Sequence, residues 1–387
     1  MNLSSIDLSD PRSSSEFAVQ DLDRMAEIDR RHALIREFLV RENYSALLIQ
    51  HPANFAWFTA GASNQRGGTT GLSAALFVTP DARVIACSNA DTSQIFEVDV
   101  AGLGFQLKER PWSELRSVMV ADLCRGRRVA SDTGVHQTND QSQMLTGMRL
   151  PLLRYDIEHL RRAGQILARA IEATARGLTP GRTETEIAGE LSHRLLKQGM
   201  TPERIQILAD GRGRRFRYWN FDQSPVQRDC TISAVGRYRG LHVGAARTVS
   251  LEDPAPDLLT AYEPAAMIAA TGMYFSQANW EFFEIWNRVR RIYEKTGVAS
   301  EWHQADIADV VEYEFGSIPL MPRGEYRLSE GVPLFWHPSV GPVLMGDTIL
   351  VHDGPMEILT ASPDWPTLCI SVKGTNITVP AMLVIKP

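Results

Sequence analysis

From Leu22 onward the apolar residues Leu22, Met25, Ile28, Ile35 and Leu39 recur at helical spacing, with charged residues on the other face through Glu42, which predicts an amphipathic helix. Ala46-Leu47-Leu48-Ile49 is a short apolar run of strand length, and Pro52-Ala53-Asn54 predicts a turn after it. Leu76-Phe77-Val78 and Val84-Ile85-Ala86 flank Pro80-Asp81 as a hairpin, and Val129-Ala130-Ser131 reads as one more strand. These elements predict an N-terminal α/β domain over residues 21–150, preceded by a polar, mobile arm over residues 1–20. Beyond it, Asp156 to Arg176 carries Ile157, Leu160, Ile166, Leu167 and Ile171 on one side and stops at Gly177, as a helix terminus should. Thr183 with Glu186 three residues later has the form of a capping box opening a second helix, with Ile187, Leu191 and Leu195 as its apolar stripe. Strands are expected over Thr231 to Val235, Leu241 to Val249 and Thr348 to Val351, and a helix over Phe282–Lys295; Ile307, Val310 and Val311 have the spacing of a helix. The second domain, residues 151–387, is therefore α+β.

Composition narrows the function classes. The 387 residues are 44% hydrophobic and 22% charged, as in an ordinary globular chain, and too many for one compact core. Forty Lys and Arg against 46 Asp and Glu leave a formal charge of -6, so no overall basic field holds nucleic acid. Cys87, Cys124, Cys230 and Cys369 form no C-x-x-C pair, which argues against a disulfide framework or a thiolate zinc site and fits a reducing cytoplasm. With neither an export signal nor a run of about 18 apolar residues, no membrane association is expected.

The motifs then point to a family. Pro52-Ala53-Asn54-Phe55-Ala56-Trp57-Phe58-Thr59-Ala60-Gly61 resembles the "P-x-N-[IV]-x-[YW]-x-[TS]-G" run in the N-terminal domain of creatinase, prolidase and aminopeptidase P. Asp156-Ile157-Glu158 at the head of a long helix, followed by Gly177-Leu178-Thr179-Pro180-Gly181-Arg182-Thr183-Glu184-Thr185-Glu186-Ile187-Ala188, is similar to the "E-I-x-x-x-R…G-x-x-P-G-x-T-E-x-E-I-A" pattern of their pita-bread domain. The resemblance runs from about residue 22 to 387 and implies a creatinase-like N-terminal domain, a pita-bread catalytic-type domain and a homodimer. It also implies two divalent ions held by two Asp, one His and two Glu. The positions for the carboxylates fall instead on Ser233 or Ala234, on Gly244, on His337 in Phe335-Trp336-His337-Pro338, and on Gly346 in Gly346-Asp347-Thr348. Two dications about 3.5–4 Å apart need anionic oxygens, so a dinuclear centre is not expected, and no cofactor or metal is assigned.

His242, His303 and His337 are the candidate catalytic residues, expected to converge on the former metal pocket, because His242 shares a strand face with Gly244. Arg66, which the resemblance places near a neighbouring subunit's pocket, joins Arg217, Tyr218, Arg247 and Trp336 as candidate substrate-binding residues. Arg247 and Asp347 can equally pair to hold two strands together. The reading is a metal-independent, creatinase-like hydrolase or lyase acting on a small polar amine, amide or amidine by histidine acid–base chemistry. The alternatives are a three-histidine zinc site, a non-catalytic pseudo-peptidase that binds a peptide or protein partner, and an Xaa-Pro aminopeptidase if the ligand positions are misaligned.

Overall fold

The computed structural model describes residues 21–67 and 69–385, so the expected N-terminal arm lies outside the described residues. The chain divides after Ser142 into two compact units. In the first, six strands run in the order Gln106–Arg110, Arg83–Ser88, Ala74–Val78, Ala46–Ile49, Val129–Ser131, Asn139–Asp140. The expected hairpin is there, with Phe77 opposite Val84 in an antiparallel pair. Leu22–Arg41 is helical and buries Ile28, Ile35 and Leu39 of the expected stripe, while Met25 is half-buried and Leu22, at the helix start, is exposed. Pro52-Ala53-Asn54, read as a turn, instead opens a helix, Pro52–Phe58. Proline suits the first helical position, where its missing N–H costs nothing. The Asp132 carboxylate fixes this helix start by accepting hydrogen bonds from Gln50 N, His51 N and Asn54 Nδ2 at 2.9, 2.8 and 3.0 Å.

The second unit includes a helical pair that leads into two four-stranded sheets. Helix Arg154–Arg176 ends at Gly177, and Glu184–Lys197 starts from the capping box expected at Thr183 and Glu186. One sheet has the strand order Leu383–Val384, Leu241–Ser250, Asp229–Tyr238, Thr201–Ala209; the other has Ala308–Val310, Pro333–Trp336, Asp347–Leu350, Glu357–Ile358. Ile307, Val310 and Val311 thus belong in and around a strand and not to a helix: Ala308 pairs with Trp336 and Val310 with Leu334. A hydrophobic core of this unit gathers around helix Pro256–Phe275, whose second half is buried on nearly every side, and around Phe282–Lys295. A helix apolar all round lacks the one-sided stripe that would announce it in the sequence.

Candidate active site

The chemistry collects where the two sheets of the second unit meet. Arg204, Val235 and Gly244 lie side by side across three strands, Arg204 opposite Val235 and Val235 opposite Gly244. Against this row packs Phe335, fully buried, from the other sheet. A Cβ built on Gly244 would stand 2.5 Å from the Phe335 ring, and one on Gly346 would stand 2.7 Å from Ala246 Cβ and 3.2 Å from the same ring. Real side chains do not approach so closely, so the Phe335 ring occupies the space that side chains at both glycines would need. Ser233, opposite Ala246 in the register, is buried, and its Oγ makes no hydrogen bond within the described residues.

Strand geometry puts His337 and Asp309 beside this ring. Residues 335 and 337 share a strand face, and Asp309 is the cross-strand partner of Phe335. The His337 ring contacts the Phe335 ring at 4.9 Å between centroids, and His337 Nε2 lies 2.9 Å from Asp309 Oδ2. A carboxylate only accepts, so Nε2 carries the hydrogen and Nδ1 is left as the basic nitrogen. Nδ1 makes no hydrogen bond within the described residues, and the residue keeps 5% of its exposure. Asp306 completes a group in which ligand-type atoms of Asp306, Asp309 and His337 all lie within 4.8 Å of one another. Burial pushes the Asp306 carboxyl above its ordinary range; His337 opposes that shift and Asp309 adds to it. Arg204 lies over the Phe315 ring at 4.9 Å and the Phe335 ring at 5.9 Å, close enough for its charge to be felt with Asp309 and Asp306. Its Nε is buried without a hydrogen-bond partner, and burial lowers the guanidinium from its ordinary value.

The sequence-derived candidates are distributed unevenly around this group. His242 is buried near it, its ring 6.3 Å from that of Phe315, and its Nδ1 donates to the backbone oxygen of Glu312 at 2.8 Å. Burial holds its pKa below the ordinary imidazole value. His303 is not part of the group: it sits on an exposed turn, its ring stacked 3.5 Å from that of Trp302. No three-histidine cluster forms among the described residues. Arg217 is held by Glu301 at 2.6 Å and by the backbone oxygen of Gly341 at 3.0 Å. Arg247 is buried, donating to Glu172, Asp347 and the backbone oxygens of Gly346 and Thr360. Trp336 is core: its ring lies on Gly272 and its Nε1 donates to Ser276 Oγ at 3.0 Å. Tyr218 is 54% exposed beside Arg204. Arg66, in the first unit, forms a bidentate pair with Asp91 at 2.8 and 3.1 Å. Arg204, Asp306 and Asp309 were not singled out from sequence. The available signal was a carboxylate at Asp309 interrupting the apolar run Ile307-Ala308-Asp309-Val310-Val311.

Comparison with known proteins places the frame. Residues 158–338 match the model of metallopeptidase family M24. The matched segment is similar to an M24-family domain. Solved peptidase structures share the fold over most of the chain. Xaa-Pro dipeptidase from Bacillus anthracis superposes with a TM-score of 0.71 at 16% identity, covering 93% of this chain and 99% of that one. Prolidase from Pyrococcus horikoshii gives 0.72 at 16%, covering 88% and 98%. Aminopeptidase P from E. coli gives 0.69 at 16%, covering 87% and 95%. At these identities the likeness is one of fold. A search of curated protein sequences gave no match.

The M24 resemblance implies a dinuclear centre, and the residues present do not fit one. Of its carboxylate positions, Ser233 offers one neutral hydroxyl, Gly244 and Gly346 offer no donor, and the Phe335 ring lies against both glycines. His337, at the fourth, is a possible ligand, but it faces Asp309 and Asp306.

Proposed function

We propose that this chain is an M24-type hydrolase of a C–N bond in a small polar amide or amidine, and that the His337–Asp309 pair, without metal, carries the acid–base step. The observation that carries this reading is the Phe335 ring filling the space at Gly244 while His337, oriented by Asp309 at 2.9 Å, stands next to it. A carboxylate that holds one imidazole nitrogen leaves the other to take a proton from attacking water. Water oxygen then bonds to the substrate carbon, the C–N bond breaks, and the proton passes from His337 to the departing nitrogen. Arg204, with a charge matched by no ion pair among the described residues, is suited to anchor a substrate carboxylate. The related solved structures are named as an Xaa-Pro dipeptidase, a prolidase and an aminopeptidase P, which supports a hydrolase reading.

One observation favours a second reading, a single divalent ion on Asp306, Asp309 and His337, since their atoms converge within 4.8 Å. Arg204 beside the two aspartates weakens the attraction such an ion would feel. The deciding experiment is a substrate screen on amides and amidines with metal analysis of the purified protein, before and after dialysis against a chelator. Turnover that survives chelation and falls at least a hundredfold in His337→Ala supports the proposal. One ion per chain, lost together with turnover in Asp306→Asn, replaces it with the mononuclear reading; two ions per chain, or a ligand bound and never converted, overturns both.

A further inference from the structure

A second ligand-shaped feature lies in the same unit and shares no residue with the His337 group. Between helix Pro256–Phe275, helix Phe282–Lys295 and the strand Thr367–Val372 runs a groove of about 360 Å³. Its walls come from regular spacing: Met267, Thr271 and Phe275 recur every fourth residue on one helix, and Arg288, Arg291, Ile292 and Lys295 form an i, i+3, i+4, i+7 stripe on the other. Ile370 and Val372 of the strand complete an apolar floor with Met267, Phe275 and Ile292. Lys373 overhangs the end: it and Gly374 form the two-residue turn between Val372 and Thr375, with φ of 52° and 83°, the geometry of a tight type I′ hairpin.

Four cations, Arg288, Arg291, Lys295 and Lys373, therefore border an apolar floor, and no lining residue is acidic. None of the four forms an ion pair among the described residues, whereas Arg290, on the same helix but outside the groove, pairs with Glu294. Complementing the helix dipole accounts for Lys295 in the last turn but not for Lys373 on a separate hairpin. Arg288 lies over the Phe275 ring at 5.5 Å, so one cation already rests against the floor. From the combination we infer that this groove binds an amphipathic carboxylate, an aliphatic chain with one anionic end, the chain on the floor and the carboxylate paired with cations on its rim.

The test is calorimetric titration of the full chain with sodium decanoate below its micelle concentration, alongside sodium butyrate and decanol, and with Arg291→Gln/Lys373→Gln. Both substituted side chains are exposed, so the variant is expected to fold, which its circular dichroism and melting temperature check. The expected result is saturable binding of decanoate at one site per chain, at least tenfold tighter than butyrate or decanol and at least tenfold weaker in the double variant. Equal binding of decanoate to parent and folded variant overturns the assignment. So does binding of butyrate as tight as decanoate, which makes the groove a plain anion site. Association seen only with anionic phospholipid vesicles and not with free decanoate would assign the face to a membrane surface and likewise overturn it.

Discussion

A Cβ on Gly244 would stand 2.5 Å from the Phe335 ring, so each of these residues constrains what the other can be. Phe335 is fully buried, and its ring is in place because position 244 has no side chain. Overfilling a packed core costs about 1–3 kcal/mol, and truncating a buried Phe to Ala costs about 3–5 kcal/mol. Gly244→Ala and Phe335→Ala should each destabilise by amounts in those ranges. Together they should cost less than the sum by about 0.5–3 kcal/mol, because the smaller residue at 335 makes room for the added methyl. Urea unfolding of the two single variants and the double variant measures the coupling, and strict additivity would mean that the ring does not fill that space. The missing acid at Gly244 was legible in the sequence. The plug was not, since Phe335 sits in the apolar stretch Val332-Pro333-Leu334-Phe335-Trp336 like any other buried strand residue, and the direction of its ring depends on a partner strand distant in the chain. Asp309 was missed for a related reason: a three-residue strand is too short for period two to show, and the surrounding apolar spacing imitates a helix.

At the level of elements, Arg247 joins one helix, two sheets and a loop. From strand Leu241–Ser250 it donates to Glu172 on helix Arg154–Arg176 at 3.2 Å and to Asp347 on the neighbouring sheet at 3.0 Å. It also donates to the backbone oxygen of Thr360 at 2.7 Å. Arg247 therefore acts here as a clamp, the pairing with Asp347 that the sequence left open beside substrate binding. Arg247→Met would leave Glu172 and Asp347 buried without their cation and should cost about 3–5 kcal/mol, whereas Arg247→Met with Glu172→Gln and Asp347→Asn should cost less, having removed all three charges. Thermal melts of the two variants check this; a single variant as stable as the parent would return Arg247 to the list of substrate contacts. Elements with one-sided patterns were readable in advance: the capping box at Thr183 and Glu186 forms as spaced, and Phe282–Lys295 is the expected helix, with Phe282, Ile285, Trp286, Val289 and Tyr293 buried. The central helix Pro256–Phe275 went unread because its alanine-rich second half is buried on nearly every side and Pro264 lies within it. Glu184, one residue into its helix, is buried and accepts from Ala209 N, Trp219 Nε1 and Asp222 N. The segment from Ala209 to Asp222 is thus anchored by an acid that capping rules alone treat as a surface residue.

Across the whole molecule, acid stability depends on buried groups of opposite sign. Burial depresses the His242 pKa below its ordinary 6.5, so as pH falls through about 6.5 the unfolded chain takes up a proton that the folded chain refuses, and stability is lost. Asp229 behaves in reverse. Burial, with Asp210 nearby, raises its carboxyl from 3.8 to about 6, so between those values the folded chain binds the extra proton. Stability from Asp229 is therefore fully present near pH 4 and is lost as pH rises through about 6. Because the two windows overlap, the parent protein's own pH profile conceals both, and single variants separate them. Asp229→Asn removes a buried negative charge and should be more stable than the parent at pH 8, with the advantage shrinking to nothing by about pH 4. His242→Gln keeps a side-chain donor for the Glu312 backbone oxygen and should gain on the parent as pH falls from 7 to 5. Urea midpoints at pH 4.5, 6 and 8 for parent and variants give the two differences directly. Differences that stay constant across this range would show that neither group changes its proton affinity on folding, and the burial assigned to His242 and Asp229 would then be wrong.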